Sequence, residues 1–300
     1  MIKIPSDINF NKYFRLFNVI SIFLIIISII ALIYKGLNYG VDFKGGTLIE
    51  LRVQDRNIDL PTIRKSFSKM NLGDLNIKKF GNDTDFLIKF EKMDNKNINF
   101  IENIKKKLTL DIGESFNFRR VENVGPKVSK ELLKSGIIAI LLSLSAMLIY
   151  IWLRFEWQFS LGAILALIHD VIITLGFFSI LNLEINLSIV AAVLTIVGYS
   201  MNDTVVIFDR VRENIKKHSS KKIYEITNIS INETLSRTII TSLTTLLALI
   251  SIFIFGGEVL KGFSFAMILG VVFGTYSSIY IANPVLEYLK VSYRTIVKED

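Results

Sequence analysis

The 300-residue chain contains no cysteine, so disulfide bonds, thiol chemistry and cysteine-based metal sites are excluded. It contains only two histidines, and neither has a second metal-ligating residue at a useful spacing. The sequence also lacks the Gly-x-x-x-x-Gly-Lys-Ser/Thr pattern of nucleotide-binding loops and the His-Glu-x-x-His and Gly-x-Ser-x-Gly patterns of hydrolases. We therefore expect a protein that is not an enzyme and that carries no metal and no organic cofactor.

Long apolar runs are what the chain does contain. Hydrophobic residues make up 51% of the sequence, and they cluster in runs of about 20 residues, the length that crosses a bilayer core. This pattern excludes a single water-soluble domain and predicts an α-helical membrane protein with six transmembrane helices. The predicted spans are Leu16–Tyr34, Ile137–Leu153, Phe159–Leu181, Leu187–Phe208, Thr238–Phe255 and Phe263–Leu286. The first apolar run is too long for a signal peptide, so we interpret it as an uncleaved anchor.

The distribution of basic residues predicts the orientation of these helices. The net charge is +8. If the N-terminus is inside, the inner-side segments together hold fourteen Lys and Arg, of which Lys3 is the first and Lys298 the last. The short outer loops hold only Lys261. Both termini are therefore predicted to be cytoplasmic. Because most basic residues flank membrane spans and no nucleic-acid recognition module is present, we expect contact with membrane lipid and no nucleic-acid partner.

The polar segment between the first two spans has the pattern of a small α+β domain. Alternating apolar residues and turn signals predict the order strand, helix, strand, strand, helix, strand, which is the ferredoxin-like arrangement. The predicted elements are Thr47–Val53, Pro61–Met70, Leu75–Phe80, Asp85–Phe90, Ile98–Leu108 and Ser115–Val121, with a turn at 81–83. We expect an N-terminal tail and first helix at 1–36, the outer domain at 37–134, a five-helix region at 135–290 and a cytoplasmic tail at 291–300.

Two carboxylates lie inside predicted spans, where a charge costs about 2.5–3.5 kcal/mol on insertion scales. Asp170 follows His169 in the third span and shares a face of small and polar residues with Gly162, Ala166 and Thr174. The alternative for Asp170 is a neutral carboxyl in a buried interhelical hydrogen bond. Asp203 lies in a polar stretch of the fourth span, and four apolar residues follow that stretch before Asp209. The position of Asp203 favours a functional role over a frayed helix end.

Arg237 precedes the fifth span and begins a polar stripe with Thr241 and Thr245. It is predicted at the same depth as Asp203, so the two side chains can pair; the alternative is an arginine that extends to lipid headgroups. A carboxylate that faces a basic group inside a helix bundle is what proton conduction requires. In the sixth span Gly270 and Gly274 form a Gly-x-x-x-Gly motif, which indicates close helix packing within the bundle or against a partner.

Several motifs, in order along nearly the whole chain, resemble the SecD/SecF family of preprotein-translocase subunits, which is related to the RND transporter superfamily. The fourth-span motif is the most specific. The matching segments are Gly40-Val-Asp42-Phe-Lys-Gly45-Gly46-Thr47, Val124-Gly125-Pro126, His169-Asp170-Val171, Gly198-Tyr-Ser-Met-Asn202-Asp203-Thr204-Val-Val-Ile-Phe-Asp209-Arg210 and Thr234-Leu-Ser-Arg237-Thr238.

The resemblance implies a function, partners and site residues. Such a chain, at this length, is the smaller member of the pair: it associates with SecD, the SecYEG channel and YajC, and it uses the proton-motive force to promote late stages of preprotein export across the bacterial inner membrane. By position, Asp203 corresponds to the proton-relay carboxylate and Arg237 to the basic residue near it, while Asp170 occupies a motif position. The resemblance also implies that the segment at 45–124 is periplasmic and that Gly40–Thr47 is a structural motif at the membrane exit.

Two other functions remain open on the sequence. One is a proton-coupled exporter of RND type, although about 100 outer residues leave little room for a drug pocket. The other is a scaffold that transports nothing, in which all the intramembrane polar residues serve assembly. An Asp203→Asn variant separates a proton relay from a scaffold.

Overall fold

The computed structural model describes residues 8–55, 58–91 and 100–296. Lys3, Lys298, the start of the helix predicted at 98–108 and the end of the predicted tail lie outside the described residues. The helices are α1 (Asn11–Tyr34), α2 (Val41–Lys44), α3 (Leu60–Ser68), α4 (Phe100–Ile112), α5 (Pro126–Arg154), α6 (Trp157–Ile180), α7 (Leu187–Lys217), α8 (Ile223–Phe255), α9 (Glu258–Ser277), a π-turn (Ser278–Ala282), α10 (Asn283–Tyr288) and α11 (Tyr293–Ile296). The strands are β1 (Asn38–Tyr39), β2 (Gly46–Val53), β3 (Leu75–Phe80), β4 (Asn82–Phe90), β5 (Phe116–Val124) and β6 (Glu184–Ile185).

Among the described residues, six helical segments are long and apolar enough to cross a membrane, as the sequence predicts. They are α1, α5, α6, α7, α8 and the continuous element Val259–Tyr288 that α9, the π-turn and α10 form. The described residues fall into two compact units: one holds the residues up to 38 and from 137 onward, the other holds 39–136. The sequence therefore identified the number and places of the membrane helices correctly.

In the helical unit, α6, α7 and the α9–α10 element bury about half of their apolar spans, whereas α1, α5 and α8 leave most of theirs exposed. The core joins α6 to α7 through aromatic rings: Phe159 meets Phe208 edge-on at 5.1 Å, and Phe155 stacks on Phe159 at 5.8 Å. Bilayer lipid is as apolar as these side chains, so close packing rather than exclusion from water selects this arrangement.

The segment at 209–237, which lies outside the predicted spans, continues the membrane helices on either side of it. It is helical except for a short link around residues 218–222, because α7 continues to Lys217 and α8 begins at Ile223. The apolar residues Val211, Ile215, Ile226 and Ile231 are buried and continue the core beyond the predicted spans. A hydropathy window detects only the length that lipid covers, so it ended the fourth predicted span too early and began the fifth too late.

The second unit contains the predicted strand–helix–strand–strand–helix–strand order. Its sheet has the order β3-β4-β2-β5 with every neighbouring pair antiparallel, which is the ferredoxin-like topology. Alternate residues Ile49, Leu51, Phe86 and Ile88 are fully buried with Phe67 of α3. The predicted three-residue turn is tighter in the structure: only Gly81, with φ of +79°, separates β3 from β4.

Local signals in the sequence account for the ends of several elements. Asp59 caps α3, because its carboxylate accepts hydrogen bonds from the Thr62 amide at 3.0 Å and the Thr62 hydroxyl at 2.6 Å. Gly46 begins β2 with φ of +120°, and a Cβ there would lie 2.7 Å from the Phe90 carbonyl oxygen. A side chain at Gly46 is therefore excluded by both conformation and space.

Candidate functional site

Asp170 of α6 is fully buried and is held by three side chains from three helices. His169 Nδ1 lies 2.8 Å from its Oδ1 atom, while the hydroxyls of Ser200 (α7) and Ser277 (α9) donate to its Oδ2 atom at 2.6 and 2.8 Å. A carboxyl in the membrane that is satisfied on both oxygens avoids much of the cost of an unpaired polar group. The arrangement joins α6, α7 and α9 at one point.

Asp203 of α7 is 3% exposed and has a sparser set of partners. The hydroxyls of Ser242 (α8) and Thr275 (α9) both donate to its Oδ2 atom, at 3.4 and 3.2 Å, and lie 2.6 Å from each other. These contacts are longer than those of Asp170, and both reach one carboxyl oxygen. Asp203 is therefore the less firmly held of the two buried carboxylates.

Arg237 of α8 does not pair directly with Asp203. Within residues 8–55, 58–91 and 100–296, no hydrogen bond or ion pair joins the two side chains, and Arg237 acts on Asp203 only through longer-range attraction between opposite charges. The Arg237 side chain lies on an exposed face of α8, and Asn202 of α7 is also exposed. The predicted stripe of Arg237, Thr241 and Thr245 therefore lies beside the buried face of α8, which carries Thr238 and Ser242.

Next to both carboxylates, the sixth membrane segment departs from α-helical geometry. Residues Ser278–Ala282 form a π-turn, a rare conformation that is common at functional sites. The Asn283 side chain donates to the Ser278 carbonyl at 2.7 Å, and the Ser278 hydroxyl lies 2.8 Å from that of Thr204. Pro284, which lacks an N–H, follows at the start of α10 and removes one helical hydrogen bond there.

Two glycines of the sixth segment lie directly against α7. A Cβ at Gly270 would meet Ile196 Cγ1 at 2.2 Å, and one at Gly274 would meet Ser200 Cβ at 2.9 Å. The Gly-x-x-x-Gly motif thus brings α9 close enough for Ser277 to reach Asp170.

The end of α7 beyond Asp203 carries a set of ion pairs. Asp209 accepts from Arg154 at 3.1 Å, and Arg210 contacts Glu233 at 2.7 Å and Glu213 at 2.5 Å. These pairs connect α7 to the end of α5 and to the first turns of α8. The two motif residues Asp209 and Arg210 therefore join helices and do not contact the buried carboxylates.

In the sheet unit, charged side chains cluster on the central strands. Arg52 of β2 donates two hydrogen bonds of 2.6 Å to the carboxylate of Asp85 of β4. These bonds hold the pKa of Asp85 below its usual value. Burial, followed by repulsion from Lys78, lowers the pKa of Lys89 to about 8. Within the described residues, no group of three His, Asp or Glu side chains is arranged to hold a metal ion.

The motif residues between the first two spans lie at the start of strands and helices. Gly40 is the N-cap residue of α2 and Asp42 lies in its first turn, Gly45 follows α2 with φ of +82°, and Gly125 precedes Pro126, the first residue of α5. A Cβ on Gly45 would lie 3.3 Å from both the Ser129 hydroxyl and the Val124 carbonyl oxygen. These residues set backbone direction and contribute no titratable group to the buried site.

Sequence reasoning missed the hydroxyl partners of the carboxylates. Ser200 and Ser277 supply the short contacts to Asp170, and Ser242 and Thr275 supply the longer contacts to Asp203. Single serines and threonines are common in membrane helices, where their hydroxyls bond the preceding turn, so they give little signal on their own. The available signal was their recurrence on the helices that flank Asp170 and Asp203.

Comparison with known proteins gives consistent results along the chain. Residues 104–292 match the family described as protein export membrane protein SecD/SecF, C-terminal, and residues 30–55 match the SecD/SecF GG motif. The chain is similar to the protein translocase subunit SecF of Rickettsia bellii (strain OSU 85-389), with 47% identity over 94% of each chain. It is 46% identical to the protein of the same description from Rickettsia rickettsii (strain Sheila Smith), over 94% of this chain and 92% of that one.

Solved structures resemble the whole fold. The crystal structure of SecDF, a translocon-associated membrane protein from Thermus thermophilus, matches with a TM-score of 0.84 and 35% identity, covering 95% of this chain and 39% of that one. A second SecDF structure, in a super-membrane-facing form, matches with a TM-score of 0.72 and 34% identity over 97% of this chain and 40% of that one. The chain thus corresponds to about two fifths of a longer protein in both structures.

Proposed function

The chain belongs to the SecD/SecF family of protein export membrane proteins, and from this membership we propose that it works with SecD to drive late stages of preprotein export with the proton-motive force. We place it in the bacterial inner membrane with both termini cytoplasmic and the sheet unit on the outer side. The fourteen-to-one distribution of Lys and Arg supports this orientation. No covalent chemistry is part of the proposal, and protons are the coupling ion.

The observation that carries the proposal is the environment of Asp203. This carboxyl is 3% exposed in a membrane helix, yet among the described residues it has only two hydrogen-bond contacts, both long and both on the same oxygen. A group that must exchange protons needs a site that tolerates both its charged and its neutral form. Movement of one proton charge through the membrane potential supplies about 2.3 kcal/mol per 100 mV.

Protonation of Asp203 removes its charge and with it the attraction of Arg237 and the acceptor strength toward Ser242 and Thr275. The relative stability of two packings of α7, α8 and α9 then changes, and proton entry from the outer side favours one of them. Asp170 has three short contacts and provides the fixed point about which the other helices rearrange. In this relay Asp203 carries the proton, Arg237 favours the charged form of Asp203, and Asp170 maintains the packing of the helices around it.

Arg237 also supports SecD as the partner. Arg237 and Asn202 are both exposed on membrane helices, which is unfavourable against lipid and indicates a protein surface that another helix covers. We propose that SecD provides this cover and a second carboxylate of the relay. The remaining partners, the SecYEG channel, YajC and the translocating preprotein, follow from the family resemblance alone.

The test is proton-motive-force-dependent release of a preprotein from membranes that contain SecD with this chain, wild type against Asp203→Asn at matched expression. We expect the variant to lose the proton-dependent increment while it still co-purifies with SecD. A full increment in the variant would refute the relay, and Asp203 would then be structural. The dense hydrogen bonding of Asp170 favours the scaffold as the alternative function, and a scaffold tolerates the isosteric change.

A further inference from the structure

Three consecutive residues of α9 make contacts in three directions. The Thr275 hydroxyl donates to Asp203 at 3.2 Å, and the Ser277 hydroxyl donates to Asp170 at 2.8 Å. Tyr276, between them, extends to α1, where its hydroxyl donates to the Phe17 carbonyl at 2.7 Å and lies 2.7 Å from the Ser21 hydroxyl. One turn of α9 therefore contacts both buried carboxylates and the first membrane helix.

The ring of Tyr276 also contacts the Asp170 site. It stacks on the imidazole of His169 with 5.8 Å between ring centroids and an angle of 23° between planes. His169 is 1% exposed, its Nδ1 atom faces Asp170, and its Nε2 atom has no hydrogen-bond partner among the described residues. The face of the Tyr276 ring thus packs against His169 of the His169–Asp170 pair, and the Tyr276 hydroxyl binds α1.

Tyr280, one turn further along, packs on the same side of α1 in a different way. Its ring lies 4.2 Å from that of Phe17 and 6.2 Å from that of Phe14. Within the part of the chain that the structure describes, its hydroxyl makes no hydrogen bond. Tyr280 therefore contributes apolar packing to the α1 contact, whereas Tyr276 contributes a directed polar link.

The π-turn Ser278–Ala282 begins one residue after Ser277. A π-turn accommodates one residue more than an α-helical turn, so a shift of its position rotates the preceding side chains relative to the following ones. The contacts of residues 275–277 are the ones that such a rotation changes. The structure thus places a helical irregularity directly after the turn that makes the three directed contacts.

We propose that Tyr276 is the positioning residue that transmits a change of protonation at Asp203 to α1, the helix that precedes the sheet unit in the chain. The inference rests on the proposed proton-driven function. A neutral Asp203 is a weaker acceptor for Thr275, so the turn that carries Tyr276 shifts, and the hydroxyl of Tyr276 carries α1 with it. The titratable or charged groups around this turn are His169 and Asp170 from α6, Asp203 from α7, Arg237 from α8, Tyr280 from the π-turn and Tyr13 from α1.

Distance measurements on the complex with SecD in lipid nanodiscs test this directly. Because the chain has no cysteine, nitroxide labels can be attached at single introduced cysteines without background from this subunit, combined with a cysteine-free SecD. Ile33 of α1 and Phe255 of α8 are suitable sites, since they are 73% and 83% exposed. Pulsed electron paramagnetic resonance then reports the α1–α8 distance distribution at acidic and at alkaline pH.

Tyr276→Phe keeps the ring on His169 and removes only the hydroxyl, and Tyr280→Phe is its matched control. We expect the distribution to shift with pH in the wild type and in Tyr280→Phe, and the shift to be lost in Tyr276→Phe. The Tyr276 hydroxyl has two partners on α1, the Phe17 carbonyl and the Ser21 hydroxyl. Ser21→Ala removes one of them, so we expect it to reduce the shift.

Two results overturn the inference. A wild-type distribution that does not respond to pH overturns it, and so does a Tyr276→Phe variant that keeps the full shift. The second result leaves the proposed function intact, because that function is tested separately by export with Asp203→Asn. If Asp203→Asn retains full export, the proposed function fails whatever the distances show.

Discussion

Ser277 of α9 donates a 2.8 Å hydrogen bond to Asp170 of α6, although 107 positions separate the two residues in the chain. The same carboxyl oxygen accepts from Ser200 of α7, so a single atom fixes three membrane helices relative to one another. A polar atom that is fully bonded within the membrane stabilises one packing against alternatives in which it is unpaired.

Removal of the Asp170 carboxyl should therefore affect stability more than its neutralisation does. Asp170→Ala leaves the hydroxyls of Ser200 and Ser277 without their acceptor and opens a cavity, so we expect a loss of about 3 kcal/mol. Asp170→Asn keeps an acceptor for both hydroxyls and should cost about 1 kcal/mol or less. Thermal unfolding in detergent measures both variants, and equal midpoints for the two would contradict the anchoring role.

Close packing at Gly270 leads to a second prediction. A Cβ there would meet Ile196 Cγ1 at 2.2 Å, whereas nothing lies within 4 Å of the Cβ position of Gly198. We expect Gly270→Ala to lower the stability by about 1–3 kcal/mol through overpacking, while Gly198→Ala is neutral or stabilising. Thermal unfolding is again the measurement. Addition of Ile196→Ala should restore part of the loss in Gly270→Ala, and failure to do so would contradict the contact.

Arg237 should matter for the complex and not for the fold of this chain. Its side chain is exposed, and among the described residues no ion pair to it is found. Arg237→Gln should leave the unfolding midpoint unchanged and lower the yield of SecD in co-purification. Arg210→Gln is the control: it breaks the contacts with Glu233 and Glu213, so we expect a lower midpoint with SecD binding retained. A lower midpoint in Arg237→Gln with a normal yield of SecD would mean that Arg237 stabilises the fold of this chain and not the complex.

The success of sequence reasoning varied along the chain for physical reasons. Apolar runs and the period-2 pattern of β2 identified the six membrane helices and the sheet order, because burial in lipid or in a small core leaves a strong periodic signal. The same reasoning ended the fourth span at Phe208, whereas α7 continues to Lys217, since hydropathy does not detect a helix that packs beyond the membrane.

The site was harder to predict than the fold. Asp170 and Asp203 were identifiable because a charge within a span is costly and therefore rare. Their depth in the bundle gave no information on rotation about the helix axis, so the sequence placed Arg237 opposite Asp203, whereas Ser242 and Thr275 occupy that position. The π-turn could not be inferred either, because no residue type specifies it.

The Arg52–Asp85 pair gives the sheet unit a pH dependence. The pKa of Asp85 is held below its ordinary 3.8, chiefly by the hydrogen bonds of Arg52. Its contribution to stability is therefore complete above pH 3.8 and is lost as the pH falls through the lowered pKa. Arg52→Met should reduce the hydrogen-exchange protection of β2 and β4 at neutral pH, and the difference from the wild type should vanish in strong acid.

The full-length protein is suitable for this measurement, since protection factors are read strand by strand. Lys69→Met serves as a control because it breaks a more exposed ion pair with Asp111, so we expect a smaller loss of protection. A difference between the wild type and Arg52→Met that persists unchanged at low pH would mean that Arg52 acts through packing and not through the charge of Asp85.

Lys89 of β4 should react with amine reagents at unusually low pH. Burial, followed by repulsion from Lys78, lowers its pKa to about 8, so about half of its amines are neutral at that pH, and only the neutral amine is nucleophilic. In short pulses with an amine-reactive ester, labelling of Lys89 should rise to a plateau with a midpoint near pH 8. The intact complex is labelled and then digested, and mass spectrometry of the peptides measures this profile. Lys78→Met removes a neighbouring positive charge, so the midpoint should move to higher pH. A midpoint that stays in place would exclude repulsion from Lys78 as a cause of the lowered pKa.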